Sequence, residues 1–140
     1  MAEIAGLITK LRDFVDVNWV SSRIQYEYIC LRGANTGSVA FTAPIFGREI
    51  TLLRIVNAQN TLTGSSGSAV VNFLFGNGST FTAIPGLSNR TVNTTASNFS
   101  VSGNGQLITT AQQIRVEYVS FTSGPVDLCF SLEYKETPSL

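Results

Sequence analysis

Residues 113–135 read QIRVEYVSFTSGPVDLCFSLEYK, two apolar-polar alternations separated by a short Ser-Gly-Pro break. Ile114, Val116 and Tyr118 occupy every second position of the first run, as Val126, Leu128, Phe130, Leu132 and Tyr134 do in the second. Successive side chains of a strand point to opposite faces, so a period of two predicts strands over 113–121 and 125–135, each with one buried face. The two apolar faces are expected to meet in one core. Cys129 falls on the other face with Asp127, Ser131 and Glu133, which predicts a place near the surface.

The same vocabulary continues toward the N-terminus. Runs of β-branched and aromatic residues, punctuated by Gly, Asn and Ser, predict strands over 23–32, 38–42, 49–56, 69–75, 79–84, 91–101 and 106–110. Pro44 and Gly47 mark a bend, and residues 59–68 (QNTLTGSSGS) read as an exposed, mobile loop tip. Gly76-Asn77-Gly78 is a tight hairpin signal, since all three residues accept positive φ. Residues 69–75 (AVVNFLF) are expected to be buried on both faces or nearly so. Short strands in this number, about eight, with no internal repeat, predict an all-β fold: an antiparallel β-sandwich, jelly-roll-like.

Ahead of the sandwich the period changes. Ile4, Leu7, Ile8, Leu11, Phe14 and Val15 recur at steps of three and four, predicting a short N-terminal amphipathic α-helix over residues 2–16. The chain thus divides into a helix and junction, residues 1–19, and a β-sandwich domain, residues 20–140. An isolated helix this short is marginal in water, so its apolar face needs its own sandwich, a second copy or another protein. Trp19 stands at the junction, where it either packs the helix down or fills a partner's pocket. Those six residues and Trp19 are the candidate interface.

Composition excludes several functions. The 140 residues carry nine basic and nine acidic side chains and no histidine. A balanced charge offers no field for nucleic acid or anionic lipid, and neither is an expected partner. The chain holds 15 Ser, 15 Thr, 10 Asn and 12 Gly, residues that build turns and neutral strand surfaces. Between Arg54 and Arg115 the only charged residue is Arg90. So long an uncharged stretch is unusual for the surface of an independent monomer, and a symmetric assembly is one explanation. No apolar run reaches the length of a membrane span. The N-terminus lacks the pattern of a secretory signal, so folding in a cytoplasm is expected. Cys30 and Cys129 are accordingly expected as free thiols, and they can pair only if their strands lie side by side.

Chemistry is scarce. Without histidine, the serines and cysteines lack their commonest activating base, and Lys10 and Lys135 lie near the termini. Of the carboxylates, Glu27 and Glu117 are the conceivable cross-strand pair, but exposed carboxylates opposite Arg23, Arg32 or Arg115 are the plainer reading. Two cysteines without histidine make no zinc site, and the glycine pairs lie between strands rather than before helices. No catalytic, cofactor or metal site is expected. The sequons at Asn77, Asn89, Asn93 and Asn98 follow from a sequence rich in Asn, Ser and Thr. Trp19, Tyr26, Tyr28, Tyr118 and Tyr134 are candidates for a sugar-stacking platform. Three of the tyrosines, however, share an alternating apolar face with Ile24, Ile114 or Leu132, which predicts core or core-edge packing.

Residues 37–59, GSVAFTAPIFGREITLLRIVNAQ, pass from a short strand through an Ala-Pro bend with Gly into a hydrophobic strand. This resembles the opening of β-sandwich virion proteins of tailed bacteriophages. The runs IRVEYVSF and VDLCFSLEYKE are similar to the closing hairpin of those domains. The resemblance spans roughly residues 23–136, and within that class it implies a capsid decoration (cement) protein. Such a protein is usually an oligomer, commonly a homotrimer, bound to the major capsid protein on a virion assembled in the host cytoplasm. The N-terminal helix would be its anchor or trimer seam. A glycan- or receptor-binding tip domain of a tail fibre is the alternative.

Overall fold

The computed structural model describes residues 23–34, 43–44 and 48–136. The helix expected over residues 2–16 and the strand expected over 38–42 lie outside them. Ten strands are described: β1 (Ile24–Ala34), β2 (Ala43–Pro44), β3 (Ile50–Asn60), β4 (Ser68–Gly76), β5 (Phe81–Ala83), β6 (Arg90–Val92), β7 (Ser97–Ser100), β8 (Gln106–Ile108), β9 (Gln113–Thr122) and β10 (Val126–Glu136). They form two five-stranded antiparallel sheets. The first runs β1-β10-β3-β7 with β8 also on β3, and the second β2-β9-β4-β5 with β6 also on β4.

Two outer positions are each shared by two short strands. β8 covers Ile50–Leu52 of β3 while β7 covers its stretch from Arg54 to Ala58, and β5 and β6 divide the edge of β4 in the same way. With these pairs counted as single positions, the pairing is nested: β1 with β10, β2 with β9, β3 with β7 and β8, β4 with β5 and β6. The chain is one long hairpin folded over into two layers.

The period of two places the core. Val126, Leu128, Phe130, Leu132 and Tyr134 from the first sheet, and Ile114, Val116 and Tyr118 from the second, all point into one cluster. Phe73 and Phe130 meet edge to face across the layers, with ring centroids 5.5 Å apart. Full burial of a side chain of this size contributes about 1.5–3 kcal/mol. The last two runs therefore face each other as expected but are not a hairpin, because β9 and β10 belong to different sheets.

Other expectations are corrected for local reasons. The strand expected over 91–101 is two strands in different sheets. The Asn93 carboxamide accepts the Thr95 N–H at 2.8 Å, a side-chain turn that breaks the ladder where the chain crosses over. In β3 the buried residues are Ile50, Leu52, Ile55, Ala58 and Asn60, an irregular spacing set by two shifts in its register with β10. At one of them Asn57 has a φ of 53°, a conformation asparagine tolerates, and its N–H bonds the Asn98 carboxamide at 2.9 Å.

The Gly76-Asn77-Gly78 turn forms as expected. Asn77 N–H donates to the Thr80 carbonyl at 3.3 Å, and Gly78 has a φ of 99°. A Cβ on Gly76 would lie 1.9 Å from the Thr80 carbonyl oxygen, so only glycine fits. In β4, Ala69, Val71 and Phe73 are buried while Val70, Asn72 and Leu74 are half-buried, an alternation rather than burial on both faces. The 59–68 loop is shorter than expected, since β3 runs to Asn60, and it is tied down. The Asn60 amide donates to the Gly67 carbonyl, and its oxygen accepts the Leu62 and Asp127 N–H groups, each at 3.0 Å.

Candidate functional site

The chemistry-bearing residues gather on the outward face of the first sheet, where β1, β10 and β3 lie side by side. The alternation that turns Leu128, Phe130 and Leu132 inward turns Asp127, Cys129, Ser131 and Glu133 outward. On β1, Ile24, Tyr26, Tyr28 and Cys30 share that outward face. The register sets Tyr26 opposite Glu133, Tyr28 opposite Ser131 and Cys30 opposite Cys129.

The two cysteines form a disulfide, with their Cα atoms 4.1 Å apart and 99 positions separating them in sequence. The expectation of free thiols is therefore wrong, because the side-by-side strands on which pairing depends are present. Cys129 is also buried, at 2% exposure, although it sits on the outward face. The loop after β3 brings the Thr61 hydroxyl to 3.1 Å from the Cys129 sulfur, and a disulfide sulfur has no hydrogen, so Thr61 is the donor. The Tyr28 hydroxyl lies 3.1 Å from the Cys30 sulfur on the other side of the bond.

Two outward rows further along the same face, at Glu133, is a bidentate ion pair. Arg54 Nε and one terminal nitrogen donate to the two oxygens of Glu133 at 2.5 and 2.9 Å, and the Tyr26 hydroxyl donates to one of them at 2.8 Å. The Arg54 bonds, helped by Tyr26, hold the Glu133 carboxyl below its ordinary pKa against the opposing effect of burial. The same pairing pushes Arg54 up, and the bond to Glu133 pushes the Tyr26 phenol up. A carboxylate with both oxygens engaged by charged and hydroxyl donors is a poor proton acceptor at neutral pH. Arg48 pairs with Glu136 at 3.0 Å, and Arg32 stands 3.9 Å from Asp127.

The tyrosines divide. Tyr118 and Tyr134 are buried as expected, but Tyr26 and Tyr28 are 58% and 67% exposed and Ile24 is 46% exposed. They lie on an edge strand, on the face turned away from the core. Burial, with the Asp127 charge, pushes the Tyr118 phenol up to about 12, and its hydroxyl has no hydrogen-bond partner among the described residues.

The carboxylates singled out from sequence are not brought together: Glu27 is on β1, whereas Glu117 is on β9 of the other sheet, accepting from Asn72 at 3.4 Å. Among the described residues no group of three or more His, Cys, Asp or Glu is placed to hold a metal ion. The candidate interface residues Ile4, Leu7, Ile8, Leu11, Phe14, Val15 and Trp19 lie outside the described residues. Sequence reasoning missed Glu133, Asp127 and Asn60 as buried polar residues. The partners of Glu133 lie on other strands and leave no local signal, whereas Asn60 bonds Leu62 and Gly67 of its own loop together with Asp127 of β10.

No family model matches the chain, and no curated protein matches it. Among solved structures it is similar to that of Turnip Yellow Mosaic Virus at 100 K, with 11% identity over 84% of this chain and 95% of that one. The TM-score is 0.32, too loose a likeness to bear on function.

Proposed function

We propose that the chain is a structural protein of a virion and, within that role, a capsid decoration protein of a tailed bacteriophage that acts as a homo-oligomer on the shell. The observation that carries the reading is the nested pairing of the strands. A long hairpin folded into two antiparallel sheets is the wiring of a jelly roll, an architecture used by viral capsid and lectin domains. A fold alone does not assign a role, so the surface must bear on it too. Among the described residues that surface holds three ion pairs, and the strands of the second sheet carry few charges, Arg90, Arg115 and Glu117, which suits lasting contact better than turnover.

In this reading the partners are further copies, as a trimer, and a major capsid protein. Catalysis, cofactors, nucleic acid and membrane have no part. Residues 1–19, with Ile4, Leu7, Ile8, Leu11, Phe14, Val15 and Trp19, supply the capsid anchor or the trimer seam. A cytoplasm keeps thiols reduced, so the disulfide closes when the particle leaves the host cell.

The test is binding of the purified full chain to emptied capsids, followed by sedimentation and by the temperature at which the shells break. Saturable binding that raises that temperature is the expected result, and removal of residues 1–19 is expected to abolish it. Absence of binding would overturn the decoration role.

Exposed Tyr26 and Tyr28, beside the polar Arg54–Glu133 pair, favour one second reading, a glycan-binding tip domain of a tail fibre. A glycan array separates the two: binding lost on Tyr28→Ala would favour the tip domain.

A further inference from the structure

We infer that β1 is a two-fold docking edge at which a second copy of this chain adds its own β1, centred on Gln25. The inference goes beyond the virion reading and does not depend on it.

β1 pairs with β10 along one side, and among the described residues no strand pairs with its other side. An edge of this length presents a row of N–H and C=O groups that are left to water unless another extended strand pairs with them, a ready template for a second chain. The first half of β1 is open on its faces as well: Ile24, Tyr26, Glu27 and Tyr28 are exposed, and so is Arg23 just before them. An exposed aromatic strand whose second edge is paired by no described strand marks an interaction surface.

The backbone sets which register is available. Directly opposed residues in an antiparallel pair lie about 4.5 Å apart at non-hydrogen-bonded positions and about 5.5 Å apart at hydrogen-bonded ones. Cys30 and Cys129 are opposed at 4.1 Å, so Cys30 is a non-hydrogen-bonded position with respect to β10. By alternation Ile24, Tyr26 and Tyr28 are too, and their N–H and C=O groups point to the free edge.

The side chains select among registers. About an axis at Gln25, the run Arg23-Ile24-Gln25-Tyr26-Glu27 is complementary to its own reverse. Arg23 then faces Glu27 of the second copy, Ile24 faces Tyr26, and Gln25 faces Gln25. Ile24 and Tyr26 exchange backbone hydrogen bonds in both directions, as their outward groups require. The symmetry repeats each contact, giving an isologous interface with two ion pairs and two apolar pairs. An axis at Tyr28 would set Ile24 against Arg32 and Glu27 against Ile29, losing both ion pairs.

The experiment is sedimentation of the full chain across a concentration series up to about 1 mM, for the wild type, Arg23→Glu, Glu27→Arg and the double exchange. The expected result is an association step that doubles the mass of the unit, weakened at least about tenfold by either single change and restored by the double exchange. Single variants that associate like the wild type, a double exchange that fails to restore, or a wild type with no doubling step would each overturn the inference.

Amide hydrogen exchange on the wild type tests the edge without any variant. Ile24 and Tyr26 amides should be protected increasingly as concentration rises. Protection independent of concentration and lost on removing residues 1–19 would assign the edge to the chain's own N-terminal segment, which also overturns the inference.

Discussion

The first and second sheets bury the same kinds of residue on their inner faces and present opposite chemistry on their outer ones. On the first, β1, β3 and β10 carry the disulfide, the Arg54–Glu133–Tyr26 cluster and the Arg32–Asp127 pair. On the second, Arg115 lies with its guanidinium 3.8 Å from the centre of the Phe81 ring, and Glu117 accepts from Asn72, amid hydroxyl and aliphatic neighbours. The inner faces teach little about role, because any two-layer sandwich needs them. The outer faces differ because the inner strands of the first sheet, β3 and β10, bring Arg54, Asp127 and Glu133, whereas of the inner strands of the second, β9 brings Arg115 and Glu117 and β4, from the uncharged middle of the chain, brings no charge. Cross-links and ion pairs therefore concentrate where β10 joins two strands distant in sequence, and the second sheet is held mainly by its core.

The largest break in this contrast is expected at the disulfide. It closes a loop of about 100 residues, and replacing Cys30 and Cys129 by serine is expected to lower the free energy of unfolding by about 3 kcal/mol in urea titrations. Reduction of the native chain should give a similar loss. A loss under about 0.5 kcal/mol would mean that β1 is held by its ladder and core contacts alone.

A second measurement sharpens the contrast through pH. The folded Glu133 pKa lies below its ordinary value of 4.5, chiefly because Arg54 bonds the carboxylate. The stability this contributes is complete above the unfolded pKa and is lost as pH falls through the folded one. Glu133→Gln should therefore flatten the acid limb of a stability-against-pH curve. An unchanged limb would place the acid sensitivity of the fold elsewhere.

The smallest effect is expected on the second sheet. Phe81→Leu removes the aromatic face beneath Arg115 and should cost less than about 1 kcal/mol by thermal unfolding. A loss as large as that of the disulfide would erase the distinction between the two faces.

Much of the fold can be read along the chain, and little of the site can. The alternation in 113–121 and 125–135 assigns Ile114, Val116, Phe130 and Leu132 to the core, because the period of two belongs to each strand alone. The hairpin at Gly76–Gly78 is equally local. The strand expected over 91–101 fails at Asn93, whose side chain competes with the ladder for the backbone, and nothing short of the sheet crossing shows which would win. Glu133 looks from its neighbours like one more exposed carboxylate, and its burial depends on Arg54 arriving from β3.

By itself the sequence determined that the described residues form β-strands around a shared apolar core, which of them face inward on the clearest strands, and where the tight turn falls. These are consequences of backbone geometry and side-chain type over a few residues. Only the tertiary structure decided that β9 and β10 lie in different sheets, that Cys30 meets Cys129, and that Tyr26 and Tyr28 stay outside. Those outcomes depend on register between strands far apart in the chain. Register is selected by the fit of the whole double layer, a quantity that no local stretch contains.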